Sequence, residues 1–286
     1  MYKIAILGCE NSHANMFLDY IIKDKLYPDV EVIGVYSHEE EAAQKLSDRY
    51  GVYAAKSYDE FVGKADGIIV TARHGDRHYM YAKPYIATGI PMFIDKPVTV
   101  TEEDAINLKN DLIQNGVKVC GGSVCKFPAL VHELKKAVEE KTYGEVYGGY
   151  LRFQVSLVNE YGNFFFYAQH LVEVMCKVFG YYPNSVSAFQ NGSVVTGIVR
   201  YDNYDVNVVF VDGNCEYHVG IDCEKGIKLS NFELDGCFEQ EFESFYKLLK
   251  GGKQTETYED FIAPVFIMNA LDKSIKSGKE EKVARQ

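Results

Sequence analysis

Hydrophobic and polar positions follow two regimes along the chain, and the change falls near Gly121-Gly122. Before it, short continuous apolar runs alternate with segments of helical spacing. Ile4–Leu7, Val30–Tyr36, Gly67–Thr71, Pro91–Ile94 and Val117–Cys120 are such runs, as expected of strands buried on both faces. Ala14, Phe17, Leu18, Ile21 and Ile22 lay a helical stripe after the first run, with Asn11 or Ser12 as N-cap. Glu39–Tyr50 predicts a helix closed by Gly51, and Thr101–Asn115 one closed by Gly116. Ser57 with Glu60 is a capping box that predicts a short helix. Tyr79, Ala82 and Ile86 predict another, ending at Gly89, which Pro84 kinks or delays. Strands and helices in this alternation build an α/β fold with a doubly wound parallel sheet. Its ligands bind beyond the carboxyl ends of the strands. Gly8, Ser37, Thr71 and Asp95-Lys96 fall at those ends.

Beyond Gly122 the pattern becomes a helix at Ala129–Glu140, a long strand at Val146–Ser156 and an apolar helix at Phe164–Phe179. Alternating segments follow at Ser185–Gln190, Val194–Tyr201, Tyr204–Val211, Glu216–Asp222 and Gly226–Leu229, with Asp202-Asn203 as a hairpin turn. Phe238–Leu249 and Glu259–Ser277 are closing helices. The expected division is a dinucleotide-type first domain over residues 1–121 and a second α/β domain over 122–286. The second carries a large open, mostly antiparallel sheet, and its last helix is free to pack back on the first domain. The outer face of that sheet needs a cover or a partner.

Composition narrows the function classes. Of 286 residues, 47% are apolar and 25% charged, ordinary for a globular chain. Thirty basic residues against 41 acidic ones give a net charge of −11, which excludes nucleic acid as the main partner and offers no footprint for anionic lipid. No apolar run approaches the ~18 residues of a membrane span. The first apolar run is too short for a signal-peptide core and stops at Gly8. The seven cysteines are odd in number and contain no Cys-x-x-Cys. Buried thiols in a reducing cytoplasm are the expectation, with a small-molecule substrate as the partner.

The residues that can carry chemistry sit at the strand ends. The first loop reads Gly8-Cys9-Glu10-Asn11-Ser12-His13, where a dinucleotide fold wants Gly-x-Gly-x-x-Gly. Glu10 stands at the second glycine and His13 at the third. A carboxylate there crowds a pyrophosphate unless it turns away, while Asn11, Ser12 and His13 can donate in compensation. The second strand ends in Ser37-His38 rather than in the acid that grips NAD's ribose. That leaves a 2′-phosphate admissible and tilts the cofactor toward NADP. In Asp95-Lys96-Pro97, Pro97 holds Lys96 extended, so that its ammonium can favour a substrate alkoxide while Asp95 orients it. His170 lies in an otherwise apolar helix as a candidate acid/base, with Glu173 three residues on to orient the ring. His74 and His78 are four apart, but no zinc motif accompanies them, and no metal is expected. Neither a Gly-x-Ser-x-Gly elbow nor a P-loop is present.

Several motifs in order carry a resemblance. They are Lys3-Ile4-Ala5-Ile6-Leu7-Gly8, Ala65-Asp66-Gly67-Ile68-Ile69-Val70-Thr71 with His78, and Ile86-Ala87-Thr88-Gly89-Ile90-Pro91. Asp95-Lys96-Pro97, Lys126-Phe127-Pro128, Tyr143-Gly144-Glu145-Val146, His170 with Glu173, and Ser274-Ile275-Lys276-Ser277-Gly278 continue the series. The chain resembles the Gfo/Idh/MocA family of NAD(P)-dependent oxidoreductases, which includes glucose–fructose oxidoreductase and inositol dehydrogenases. The resemblance implies an N-terminal Rossmann domain, an active site between the domains and a homodimer or homotetramer built through the C-terminal sheet. It implies Lys96 as the lysine that contacts cofactor and substrate, His170 as the proton acceptor and Lys126 as a basic lining residue. Gly8, Glu10, Asn11, Ser12, His13, Ser37, His38, Thr71, His78, Asp95 and Lys96 become the expected cofactor set, for NAD or NADP. Lys126, Tyr161, Tyr167 and Glu173 become the expected substrate set. Family members often carry an Asp four residues before the histidine, where this chain has Phe166.

The expected function is therefore hydride transfer between nicotinamide and a secondary hydroxyl or carbonyl of a sugar- or cyclitol-like substrate. Glu10 and Phe166 motivate a competing expectation, a non-catalytic sensor or scaffold that has shed its cofactor. A lyase or glycosidase that uses NAD transiently is a third.

Overall fold

The structure is a computed structural model that describes residues 1–285. In chain order its elements begin with β1 (Tyr2–Leu7), α1 (Ser12–Leu18), β2 (Val30–Tyr36), α2 (Glu40–Tyr50), β3 (Gly67–Val70), α3 (Asp76–Ile86), β4 (Met92–Asp95), α4 (Glu102–Asn115) and β5 (Val119–Gly122). They continue with α5 (Ala129–Glu139), β6 (Val146–Val155), α6 (Phe165–Phe179), β7 (Ser185–Asn191), β8 (Val194–Arg200), β9 (Asp205–Asp212), β10 (His218–Cys223), β11 (Gly226–Asn231), α7 (Cys237–Leu249), α8 (Tyr258–Ser277) and β12 (Glu281–Lys282).

The chain forms two compact units. The first is Met1–Gly122 with Phe238–Phe261; the second is Ser123–Cys237 with the chain from Ile262 onward. In the first, five parallel strands lie in the order β2-β1-β3-β4-β5. The order reverses between β1 and β3, the switch point where such sheets open a crevice. β3 and β4 are buried at every residue, as continuous apolar runs require. The segment Phe238–Phe261, which the pattern assigns to the C-terminal domain, belongs to this unit because of α7. Phe242 and Phe245 of that helix enter one core with Ile4, Ile6, Phe17, Tyr27, Ile69 and Phe93. Phe242 meets Tyr27 at 4.5 Å and Phe17 at 5.3 Å between ring centroids. Full burial of each such ring contributes ~1.5–3 kcal/mol.

The helix after β1 runs on through Ile22 with a change of pitch: α1 ends at Leu18 and a five-residue π-helical stretch, Asp19–Lys23, continues it. One local expectation in this unit fails. Ser57 opens turns instead of a helix. Glu60 does reach back to Ser57 N–H at 2.8 Å, but the Ser57 hydroxyl donates to Asp59 rather than capping Glu60 N–H. Pro84 is accommodated inside α3 without ending it.

The second unit is built on a seven-stranded sheet ordered β11-β10-β6-β9-β8-β7-β12. It is antiparallel except for β6 beside β9. Leu151, Phe153 and Val155 of β6 are buried. The opposite face carries Tyr150 and Leu229, both paired across Gly220, and Phe189, all exposed. α6 is buried over nine consecutive residues, Ala168–Cys176, rather than along one stripe, so Gln169, His170 and Glu173 go inside with it. A helix enclosed on all sides is expected to be apolar all round; three buried polar residues mark it as more than packing.

Among the described residues no helix is long and apolar enough to cross a membrane. All seven cysteines are free; Cys215 is exposed and Cys120 half-buried, so the expectation of buried thiols holds for the other five only.

Candidate active site

In the first unit the site grows from the turn after β1. Gly8 takes φ +80°, and a Cβ there would meet Ala72 N at 2.3 Å. Only glycine permits this approach of the β1 and β3 ends. Thr71, fully buried, donates to Gly8 O at 3.1 Å and locks the two together. His78 is buried in α3 and donates from Nε2 to Ala72 O at 2.7 Å. Burial holds its imidazole pKa below the ordinary value despite Asp95. The ring is a neutral clasp on the loop after β3. His74 instead pairs with Asp76 at 2.8 Å, so the two histidines have separate partners.

The side chains that replace the second and third glycines go in different directions. Glu10 turns toward the end of β2. Its Oε2 accepts from the Ser37 hydroxyl at 2.7 Å and its Oε1 from Arg73 N–H at 3.1 Å. His38 Nδ1 lies 3.8 Å from the same carboxylate. Next to it, burial first and Glu10 second push the Cys9 thiol up to about 12. Asn11 caps α1, accepting from His13 N–H at 3.3 Å, and donates to Asp95 Oδ2 at 2.9 Å. Ser12 donates to the same Asn11 oxygen at 3.3 Å. In a dinucleotide fold that takes NAD, a carboxylate at the end of the second strand meets the adenosine ribose. Ser37 with the Glu10 carboxylate supplies one there, so the residues fit the group at that end. The tilt toward NADP rested on the lack of an acid at the end of β2 in the sequence; Glu10 brings a carboxylate there from another loop.

His13 goes inward. Nδ1 lies 3.4 Å from Asp95 Oδ2 and 3.2 Å from Asn11 Oδ1, and Nε2 lies 3.2 Å from Glu241 Oε2. Asp95 and Glu241 are fully buried, and His13 nearly so. Burial pulls the imidazole pKa down, but Asp95 and Glu241 outweigh it and the net shift is upward. Among the described residues this is the one group of three whose atoms are close enough to hold a metal ion. The two carboxylates, however, face different ring nitrogens, and both Asp95 oxygens already accept bonds, from Asn11 Nδ2 and from Lys96 N–H at 2.7 Å. The arrangement is that of an imidazolium held by two carboxylates, with the Lys96 charge close enough to act on it. Glu241 escaped the sequence reading. Its signal was a carboxylate inside the apolar stripe Phe238, Phe242, Phe245 of α7.

Lys96 follows β4 at the carboxyl edge of the sheet and is 5% exposed; its bond to Pro97 is cis. A lysine this buried at a strand end is costly unless it serves a site.

The second unit holds its own cluster. His170 Nδ1 lies 2.6 Å from the Ser123 hydroxyl, which also accepts from Cys125 N–H at 3.1 Å. Cys125 Sγ is 3.5 Å from the same nitrogen. An O–H···N or N–H···O bond this short fixes the ring plane in either tautomer. Ser123 therefore does what Glu173 was expected to do. It escaped notice because it lies 47 positions from His170, just past Gly121-Gly122. Glu173 is engaged elsewhere, by Lys126 Nζ at 3.3 Å and by Gln169 Nε2 at 2.5 Å. Tyr167 sits beside the His170 ring at 5.4 Å between centroids. Phe166, at the place of the family Asp, packs between Tyr161 and Tyr167 at 5.1 and 4.7 Å.

Comparison with known proteins fits this geometry. Residues 2–123 match the model of GFO_IDH_MocA, the oxidoreductase family with an NAD-binding Rossmann fold. No curated protein matches the chain by sequence. Among solved structures, a probable dehydrogenase from Thermotoga maritima is similar at 14% identity and TM-score 0.85, with 98% of each chain covered. A myo-inositol dehydrogenase from Corynebacterium glutamicum is similar at 16% identity and TM-score 0.83, with 100% of each covered. A myo-inositol 2-dehydrogenase from Lactobacillus plantarum is similar at 12% identity and TM-score 0.86, with 99% of each covered. At these identities the likeness is one of fold. Residues 2–123, fewer than half of the chain, are thus similar to the NAD-binding Rossmann fold of the GFO_IDH_MocA oxidoreductase family.

Proposed function

We propose that the chain is an NAD(P)-dependent dehydrogenase acting on a secondary hydroxyl or carbonyl of a sugar- or cyclitol-like substrate. The observation that carries the reading is Lys96, an ammonium buried beside Asp95 at the edge where a doubly wound sheet meets its ligand. A bound nicotinamide would supply the hydride acceptor for the carbinol carbon. His170 takes the hydroxyl proton, with Ser123 holding the ring in place. The Lys96 ammonium steadies the oxyanion that develops as that proton leaves. Asn11 and Ser12 serve the pyrophosphate, and Ser37 with Glu10 the adenosine ribose. Lys126, held by Glu173, addresses a substrate hydroxyl, and Tyr161 and Tyr167 offer apolar faces to a ring. Asp95 and His13 keep the Lys96 segment in place through buried charge. The solved inositol dehydrogenases of the same fold support the cyclitol class.

The test is formation of reduced nicotinamide, followed at 340 nm, with inositols and aldoses. Lys96→Met and His170→Asn are expected to lower kcat by ~10²–10⁴, with a thermal melt of each confirming that the variant folds. No turnover of any cyclitol or sugar, together with no dinucleotide binding, overturns the reading. A second reading, a cofactor-degenerate sensor or scaffold, draws on the Glu10 carboxylate lying buried in the loop. No gain in dinucleotide affinity in Glu10→Gly favours it, and tight binding of either nucleotide by the native chain eliminates it. We further propose a cytoplasmic homodimer or homotetramer that covers the sheet face of Tyr150, Phe189 and Leu229; a monomeric mass by light scattering contradicts it.

A further inference from the structure

The carboxylate of Glu10 stands where no reading of the glycine loop puts one. It leaves the first loop, crosses to the end of β2 and receives the Ser37 hydroxyl at 2.7 Å and the Arg73 N–H at 3.1 Å. Its side chain is 1% exposed. The residue at the end of β2 itself is Ser37, which has no charge. In a doubly wound dinucleotide site the end of the second strand is where the adenosine ribose 2′ position is read. A carboxylate there accepts the 2′-hydroxyl of NAD. The 2′-phosphate of NADP brings about −1.5 to −2 charges, and like charges in a poorly hydrated place repel strongly.

The neighbouring cations leave that balance in place. Arg77, whose charge feels Glu10, lies 4.0 Å from Asp76 and bonds Tyr81. His38 lies 3.8 Å from Glu10 and 3.9 Å from Glu39, so it faces two carboxylates. Glu40 and Glu41 open α2 immediately beyond, and they line the 300 Å³ cavity shared by Ser37, His38 and Lys56. Around the β2 end the four carboxylates Glu10, Glu39, Glu40 and Glu41 outnumber the cations Lys56, Arg73 and Arg77.

We propose that Glu10 is a specificity-determining residue that makes the site select NAD over NADP, its carboxylate taking the role that an acid on β2 plays in other dinucleotide folds. The inference rests on the cofactor reading above. The experiment separates the two. Intact protein is titrated calorimetrically with NAD⁺ and with NADP⁺, as wild type, Glu10→Gln, Glu10→Asp and Glu10→Gly, with a thermal melt of each to confirm folding. Wild type is expected to bind NAD⁺ at least tenfold more tightly than NADP⁺. Glu10→Gln narrows that ratio tenfold or more, and the charge-conserving Glu10→Asp keeps it above one. Equal or tighter binding of NADP⁺ by wild type overturns the proposal, as does a ratio unchanged in Glu10→Gln. A gain for both nucleotides by the same factor in Glu10→Gly also overturns it, because the carboxylate is then a plug and not a selector. Absence of binding of either nucleotide by every folded variant is the separate result that brings down the cofactor reading itself.

Discussion

Replacing Glu241 by Gln tests the buried charge cluster most directly, because its shape is kept and only the charge is lost. Glu241 is fully buried on α7 and lies 3.2 Å from His13 Nε2; Asp95 faces the other ring nitrogen at 3.4 Å. Asn11 and Lys96 complete the surroundings. Removing one partner of a buried ion pair costs about 3–5 kcal/mol. Asp95 still holds the imidazolium in Glu241→Gln, so the low end, about 3 kcal/mol, applies. For a unit of this size about 2–4 °C accompany each kcal/mol, giving a fall in melting temperature of roughly 6–12 °C. The loss depends on pH. The folded pKa of His13 is raised above the ordinary 6.5. Its contribution is therefore whole below that value and fades as pH climbs through the folded one. Once the ring is neutral, Glu241 is a second buried carboxylate with no imidazolium to face. The penalty in Glu241→Gln is then expected to be largest below the ordinary imidazole value and to shrink as pH climbs through the raised folded one, read by urea unfolding across the pH range. A penalty that stays level or grows with pH refutes the imidazolium and with it the charge account of this cluster.

Three further outcomes follow from the same geometry. Gly8→Ala places a Cβ 2.3 Å from Ala72 N at a φ of +80°. Overpacking of about 1–3 kcal/mol adds to about 1–2 kcal/mol for a left-handed backbone, and an unchanged urea midpoint contradicts the close approach. His78 has a depressed pKa through burial. Its contribution is present above the ordinary value and lost as pH falls through the lowered one, so His78→Gln, which still donates to Ala72 O, flattens the acid side of the stability profile; an identical slope refutes it. Ser123→Ala frees the His170 ring and is expected to lower kcat up to ~10²-fold with KM held, while Ser123→Thr restores most of it. The Ala variant also alters the imidazole ¹⁵N shifts of His170, and unaltered shifts refute the orienting bond.

Much of this protein was written in its periodicity. Short apolar runs bounded by helical stripes specify strands buried on both faces, and only a parallel sheet with helical crossovers buries both. Hence the doubly wound unit, its strand ends and the places of Gly8, Thr71 and Lys96 follow from local pattern. The alternation after Pro183 likewise specifies a sheet with one open face. His170 stood out as a base in an apolar helix, and Glu10 as a carboxylate where glycine belongs. What tertiary structure alone decided is which distant groups meet. Glu10 reaching Ser37 across 27 positions, Ser123 reaching His170 across 47, and Glu241 joining His13 from a helix assigned to the other domain leave no trace in spacing. Periodicity reports which face of an element is buried; it carries no information about what is buried against that face. Charge partners are set by chain crossing and side-chain reach, which exist only once the backbone is folded.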